Sequence, residues 1–260
     1  MSALKVKTMA DFLAEGKEPD ILFWVGSAGS FDDRAKKITK SFVKILNSAQ
    51  VNFGVLGTEE SSSGDAAKRA GNEFIFQMQA LMNIEILNGY NVKKIVTTCP
   101  HSYNTLKNEY SSLGGNYTVF HHTEFIIDLI KQNKLKIKGN LKNKRITYHD
   151  PCYLGRANNV YEQPRDVIKS LGIEIIEMKR SKRKSFCCGA GGAQMFKEPE
   201  KGNQDININR TEEALSLKPD IIVTGCPFCN TMMSDGVKSV NEGAAEVLDI
   251  AELIVENIQC

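Results

Sequence analysis

No run in this 260-residue chain approaches the roughly 18 apolar residues that a membrane span needs. The opening stretch, MSALKVKTMADFLAEGKEPD, holds no apolar segment of the kind that directs secretion. Charge of one sign is also missing. With 33 Lys and Arg against 31 Asp and Glu, neither nucleic acid nor an acidic membrane surface is an expected partner. A Gly-Ala-Gly-Gly stretch is present, but the Gly-Lys-Ser/Thr ending of a phosphate-binding loop is not, which excludes that nucleotide cradle. The Cys-x-x-Cys-x-x-Cys run of ferredoxin cubane clusters is absent too. The expected setting is the cytoplasm, where seven cysteines point to a metal or redox site and not to a disulfide scaffold.

What the chain does contain is alternation. Short apolar runs at 21–26, 52–57, 93–98, 117–121, 145–150, 173–178 and 220–225 read as strands. Between them lie amphipathic segments such as DRAKKITKSFVKILNSA and AGNEFIFQMQALMNIEILNGY, whose apolar residues recur at three- and four-residue steps. This order predicts an α/β fold of parallel sheets flanked by helices. The polar, basic segment 131–144 reads as a linker between two halves.

The halves repeat. KKIVTTCPHSYNTLKNEY (93–110) and DIIVTGCPFCNTMMSDGV (220–237) share a strand, Thr-x-Cys-Pro, then Asn-Thr and a helix, pairing Cys99 with Cys226 and Ser102 with Cys229. Thirty-four residues separate Ser27 from Ser62, and the same number separates Cys152 from Cys187. Ser63 and Gly64 then match Cys188 and Gly189. The chain is read as two tandem, pseudo-twofold related repeats, 1–140 and 141–260, with serine at four of five corresponding positions in the first.

In the second repeat Cys152, Cys187, Cys188, Cys226 and Cys229 follow three predicted strands, so an open parallel sheet would deliver all five to one edge. Five thiols exceed the four that a tetrahedral zinc takes. Soft thiolates select iron–sulfur clusters, zinc or Cu(I). A structural zinc on four of the five, and a cluster-free dithiol reductase at Cys226-x-x-Cys229, stand as alternatives. The glycines after Cys188 allow a tight bend around a bulky object, and Pro151 and Pro227 stiffen the neighbouring turns.

The words ITYHDPCYLGR, CCGAGG, CPFC and LDIAEL, with GNEFIFQ, LNGY, VTTCPH, NTLKNEY and GGNY in the first half, cover nearly the whole chain. They resemble the cysteine-rich "CCG" domain of heterodisulfide reductase B and D subunits. Iron–sulfur oxidoreductases that work with lactate, glycolate, glycerol-3-phosphate and acyl-CoA pathways are similar. The resemblance implies an iron–sulfur redox subunit whose Cys152, Cys187, Cys188, Cys226 and Cys229 hold a noncubane [4Fe-4S] cluster, with zinc as the alternative occupant in a structural or regulatory module. It also implies a partner, either a ferredoxin-domain subunit or a flavoprotein, because the chain has no relay of its own. The first repeat departs from the family at Ser27, Ser62 and Ser102, and Cys99 alone cannot hold a cluster, so that site is expected to be empty.

Other residues carry weaker signals. His149, just before Asp-Pro-Cys, reads either as a hydrogen-bond donor to cluster sulfur or as a structural histidine. His101, His121 and His122 read as structural or surface residues, Cys99 as a buried remnant of the repeat, and Cys260 as incidental. The basic run KRSKRK (179–184) is either a solvated loop or a patch that favours the Cys187 and Cys188 thiolates and docks an acidic electron carrier.

Overall fold

The structure is a computed structural model that describes residues 4, 6–139, 141, 143–198 and 201–258, so Cys260 lies outside the described residues. Two parallel sheets carry the fold. The first contains β1 (Ile21–Trp24), β2 (Phe53–Gly54), β3 (Lys94–Thr97) and β4 (Thr118–His121) in the order β2-β1-β3-β4. The second contains β5 (Ile146–Tyr148), β6 (Ile221–Thr224) and β7 (Glu246–Asp249) in the order β5-β6-β7.

The predicted strand at 173–178 forms only a single parallel bridge, Ile146 to Ile175, backed by the Ile176 amide on the Ile146 carbonyl at 2.8 Å. It occupies the edge that β2, itself two residues long, holds in the first sheet. Conversely β7 went unread in the sequence, because the glycine and charge of NEGAAEV mask a strand of only four residues. With that exchange the two sheets share one topology.

The helices are α1 (Met9–Ala14), α2 (Gly26–Phe31), α3 (Asp33–Ser48), α4 (Asp65–Arg69), α5 (Glu73–Gly89), α6 (Pro100–Asn104) and α7 (His122–Lys131) in the first repeat. The second repeat has α8 (Cys152–Gly155), α9 (Glu162–Lys169), α10 (Ile206–Leu215), α11 (Pro227–Asn241) and α12 (Ile250–Val255). Corresponding helices start alike. Both α6 and α11 have a cysteine at the N-cap and proline at the first turn, where the missing N–H costs nothing. Both α7 and α12 open on a capping box, closed by Glu124 and Glu252.

Strand residues alternate between two environments, as a pleated strand requires. Ile21 and Phe23 of β1, Val96 of β3, and Ile221 and Val223 of β6 all face one core shared by the two sheets. Helices α3, α7, α9 and α12 fill that core with Phe42, Ile126, Val167 and Ile250 among others. The opposite faces are covered separately. Leu22, Trp24 and Ile95 pack under α5, while Ile222 packs under α10 and α11. Arg34 on α3 clamps the halves, donating to both Glu252 carboxylate oxygens at 2.7 Å and to the Val247 carbonyl at 2.8 Å.

Candidate metal–sulfur site

Cys152, Cys226 and Cys229 follow the carboxyl ends of β5 and β6, and Cys187 and Cys188 lie on a loop between those strands. After β5, Asp150 and Pro151 lead into Cys152, the first residue of α8. Buried Asp150 accepts from Arg165 at 2.7 and 2.9 Å and from the Lys182 backbone amide at 2.8 Å, while the Ser185 hydroxyl donates to its carbonyl at 2.9 Å. Arg165 is itself buried and also binds Glu177 at 2.6 and 2.9 Å. This network holds the Cys152 turn against the segment that enters Cys187. A buried arginine so paired is costly to disturb, since removing one partner strands the other charge.

After Cys188 the chain reverses at Gly189, which has φ +96°. A side chain there would also press on Met232 and Ile206, at 3.2 and 3.3 Å from its first carbon. Gly64 in the first repeat has the same left-handed conformation, φ +84°, so the paired glycines are matched in backbone as well as in position. Cys226 caps α11 and Cys229 lies within its first turn.

The five sulfurs lie close enough to act on one another's ionisation. Cys188 lies 3.3 Å from Cys229 between sulfurs, while Cys152 is coupled to Cys187, Cys187 to Cys188, and Cys229 to Cys226. Cys188, Cys226 and Cys229 are buried, whereas Cys152 and Cys187 are half-buried. All five ligand candidates named from the sequence thus stand in one place. Cys99 extends the group, because it is coupled to Cys226 from the first repeat.

The electrostatics of this cluster follow from crowding. Hydrogen bonds from Cys152 and then Cys188, together with the Gly189 amide at 3.3 Å, pull the Cys187 thiol far below its usual range. Burial opposes ionisation of Cys226, but hydrogen bonds from Cys229 and Cys99 outweigh it and hold that thiol low as well. Cys152 and Cys188 are driven up chiefly by Cys187, Cys229 chiefly by Cys188, and Cys99 chiefly by Cys226. Among these crowded thiols the downward shifts fall on Cys187 and Cys226 and the upward ones on their neighbours. A cationic metal core would relieve that repulsion and release the remaining protons. The donor set, all soft sulfur packed against buried Ala190 and half-buried Phe228 and Met232, fits an iron–sulfur group.

His149 belongs to the site. One of its ring nitrogens lies within 4.8 Å of the Cys188 and Cys229 sulfurs. Burial, then the Arg210 charge, depress its pKa to about 3, so the ring is neutral. The other histidines are all buried, which removes the surface reading. His121 bonds Thr123 at 2.8 Å and His122 bonds Asp249 at 3.0 Å, both structural roles.

His101 differs. Its Nδ1 lies 2.8 Å from Asp65, and its ring stacks on Tyr153 and meets Phe228 edge-on, with centroids at 4.3 and 5.6 Å. Burial lowers its pKa, but the hydrogen bond to Asp65 prevails and the net direction is upward.

The first repeat offers a cavity in place of a thiol set. About 170 Å³ of space is bounded by Ser27, Ser62, Cys99 and Ser102, four of the five positions that correspond to cluster ligands. Phe228, together with the loop that follows Cys188, closes the other side. No motif signals this juxtaposition, since it depends on how one repeat faces the other.

The basic run is a free patch only in part, which corrects its reading as one unit. Arg180 is held by Glu213 at 2.7 Å and lies over the Phe186 ring at 4.0 Å, and Lys182 pairs with Glu162 at 2.5 Å. Exposed Lys179, Arg183 and Lys184 form no ion pair among the described residues and are the part of the run available to a partner.

Comparison with known proteins agrees with the geometry. The family profile "Cysteine-rich domain" (CCG) matches twice, over residues 21–107 and 146–234. A probable iron–sulfur-binding oxidoreductase FadF of Bacillus subtilis is 46% identical over 256 residues, 98% of this chain and 36% of the relative. An EtfAB:quinone oxidoreductase of Syntrophomonas wolfei is 48% identical over 257 residues, covering 96% of this chain and 36% of the relative. The D-type polypeptide of the dihydromethanophenazine:CoB–CoM heterodisulfide reductase of Methanosarcina barkeri is 34% identical over 244 residues, 91% of this chain and 58% of that polypeptide. The chain spans little more than a third of the length of the first two.

Proposed function

The chain belongs to the cysteine-rich CCG-domain family, and on that premise we propose that it is an iron–sulfur electron-transfer unit of a heterodisulfide-reductase-like oxidoreductase. In this reading the repeats are 1–140 and 141–260, and Cys152, Cys187, Cys188, Cys226 and Cys229 hold one noncubane [4Fe-4S] cluster. The observation that carries it is the gathering of those five cysteines at one place, with Cys188 and Cys229 3.3 Å apart between sulfurs and the others coupled to them. Such a cluster, when bound, accepts and gives up single electrons.

The chain's own residues do the rest. Asp150 and Arg165 hold the Cys152 turn in place, and Ala190, Phe228 and Met232 pack against Cys188, Cys226 and Cys229 and shield them from water. The serine-lined cavity offers a small acceptor, a disulfide included, a place beside Cys99 and hence next to Cys226. The serines leave the first repeat without a cluster, because a hydroxyl is a poor ligand beside thiolate in this chemistry.

Electrons then enter from a partner carrying cubane clusters or a flavin. Relatives are much longer than this chain, which leaves room in them for such a module. Among the described residues no helix is long and apolar enough to cross a membrane. The proposed setting is cytoplasmic, with any membrane contact made through the partner.

Anaerobic reconstitution with iron and sulfide tests the reading. The expected product is coloured, holds iron and sulfide in equal amounts, and changes its EPR spectrum on one-electron reduction. Colourless protein with about one zinc and no sulfide overturns it in favour of a structural zinc module.

A further inference from the structure

Arg210 on α10 is completely buried, although burying a guanidinium is expensive unless its donors are used. Its Nη1 donates to the Arg180 carbonyl at 2.9 Å and to Glu213 at 2.8 Å. Its Nε donates to Nδ1 of His149 at 3.0 Å. A guanidinium has donors only. Nδ1 must therefore present its lone pair, and the proton of the neutral ring must sit on Nε2. That Nε2 is buried and finds no hydrogen-bond partner among the described residues. The same ring reaches to within 4.8 Å of the sulfurs of Cys188 and Cys229. A buried, unpartnered N–H on a ring that reaches two cysteine sulfurs is a donor waiting for an acceptor.

We propose that Arg210 is a positioning residue that locks His149 in its Nε2–H form, making it a hydrogen-bond donor to the sulfur site and barring it from acting as a metal ligand. The proposal rests on the iron–sulfur reading above for its redox consequence, though not for the tautomer. A hydrogen bond to thiolate or sulfide favours the more negative, reduced state and so raises the potential. Arg210 lies outside every cysteine motif, and its effect passes through His149 alone.

Two measurements decide it. In metal-free protein labelled with 15N-histidine, the nitrogen shifts of His149 are expected to report Nε2–H in the wild type. Arg210→Met should give a mixed or Nδ1–H ring, while Arg210→Gln, which keeps an N–H donor, should restore Nε2–H. In anaerobically reconstituted protein, an EPR-monitored redox titration should show Arg210→Met and His149→Phe each making reduction about tenfold less favourable, about 59 mV for a one-electron couple. The double variant should fall no further than His149→Phe.

A wild-type Nδ1–H ring, an unchanged potential in Arg210→Met, or additive losses in the double variant would each overturn the proposal. Protein that takes up zinc and no sulfide defeats the iron–sulfur reading alone, and the nitrogen shifts then decide the tautomer.

Discussion

Glu60 is the residue whose environment is most at odds with its chemistry. Its carboxylate accepts from the Val25 amide at 3.0 Å and the Gly26 amide at 2.5 Å, which fastens the loop before α4 to the turn after β1. Burial nevertheless dominates and raises its pKa to about 7. A folded-state value above the unfolded 4.5 means the native protein binds the extra proton between those pH values. Glu60 therefore costs nothing below pH ~4.5, and its penalty grows until the pH passes ~7. Chemical denaturation at pH 5 and pH 7.5 should show wild type losing stability across that interval, on the order of 3 kcal/mol. Glu60→Gln should show a much flatter profile, and the slope, not the absolute stability, is the readout. The four substituted ligand positions make a second residue-scale prediction. Ser27→Cys, Ser62→Cys, Ser63→Cys and Ser102→Cys together, with native Cys99, should roughly double the iron bound on reconstitution, because the paired repeat already places these positions as their counterparts are placed. Unchanged iron would show that the first repeat has lost more than its ligands.

At the scale of elements, α10 and α11 meet at a point that tolerates no side chain. A carbon added at Gly236 would sit 2.1 Å from the Thr211 hydroxyl and 3.2 Å from the Asn207 carbonyl. Gly236→Ala should push the helices apart and cost about 1–3 kcal/mol in denaturant unfolding, as overpacking does. It should also weaken metal retention, because α11 carries Cys229. The basic segment before Cys187 yields the other prediction at this scale. Reversing Lys179, Arg183 and Lys184 to Glu should slow reduction by an acidic electron carrier at low salt, with the difference vanishing as salt rises. Reversing Arg180 instead would break its contacts with Glu213 and Phe186, so a loss there would report on folding and not on docking.

Across the whole molecule the two repeats behave as one body. Their sheets share a single core, and Arg34 crosses from one repeat to a carboxylate and a carbonyl of the other. Ile250, fully buried at the centre of that core, should cost about 2–5 kcal/mol when changed to Ala. Unfolding of the variant should stay a single transition monitored by any probe, since neither sheet keeps its packing when the shared face is lost. Separate transitions for the two repeats would contradict the shared core.

The sequence by itself determined the repeat, the parallel α/β class and the five cysteines, because each is written in local terms. Strand periodicity, an X-Cys-Pro helix start and a common spacing need no knowledge of distant contacts. The same local view read 173–178 as a strand on its Ile and Met content, although only Ile175 bridges, and passed over β7, whose four residues are paired by β6 and not by their own propensity. What only the tertiary structure decided are relations between segments far apart in the chain. Arg210 reaches His149 across 61 residues, and Arg165 on α9 closes on Asp150 and Glu177 in the loops to either side of it. Cys99 and the serines of the first repeat face the Cys188 loop of the second. Charge pairing and cavities arise from the docking of faces, and the sequence records which residues are available for that but not which of them meet.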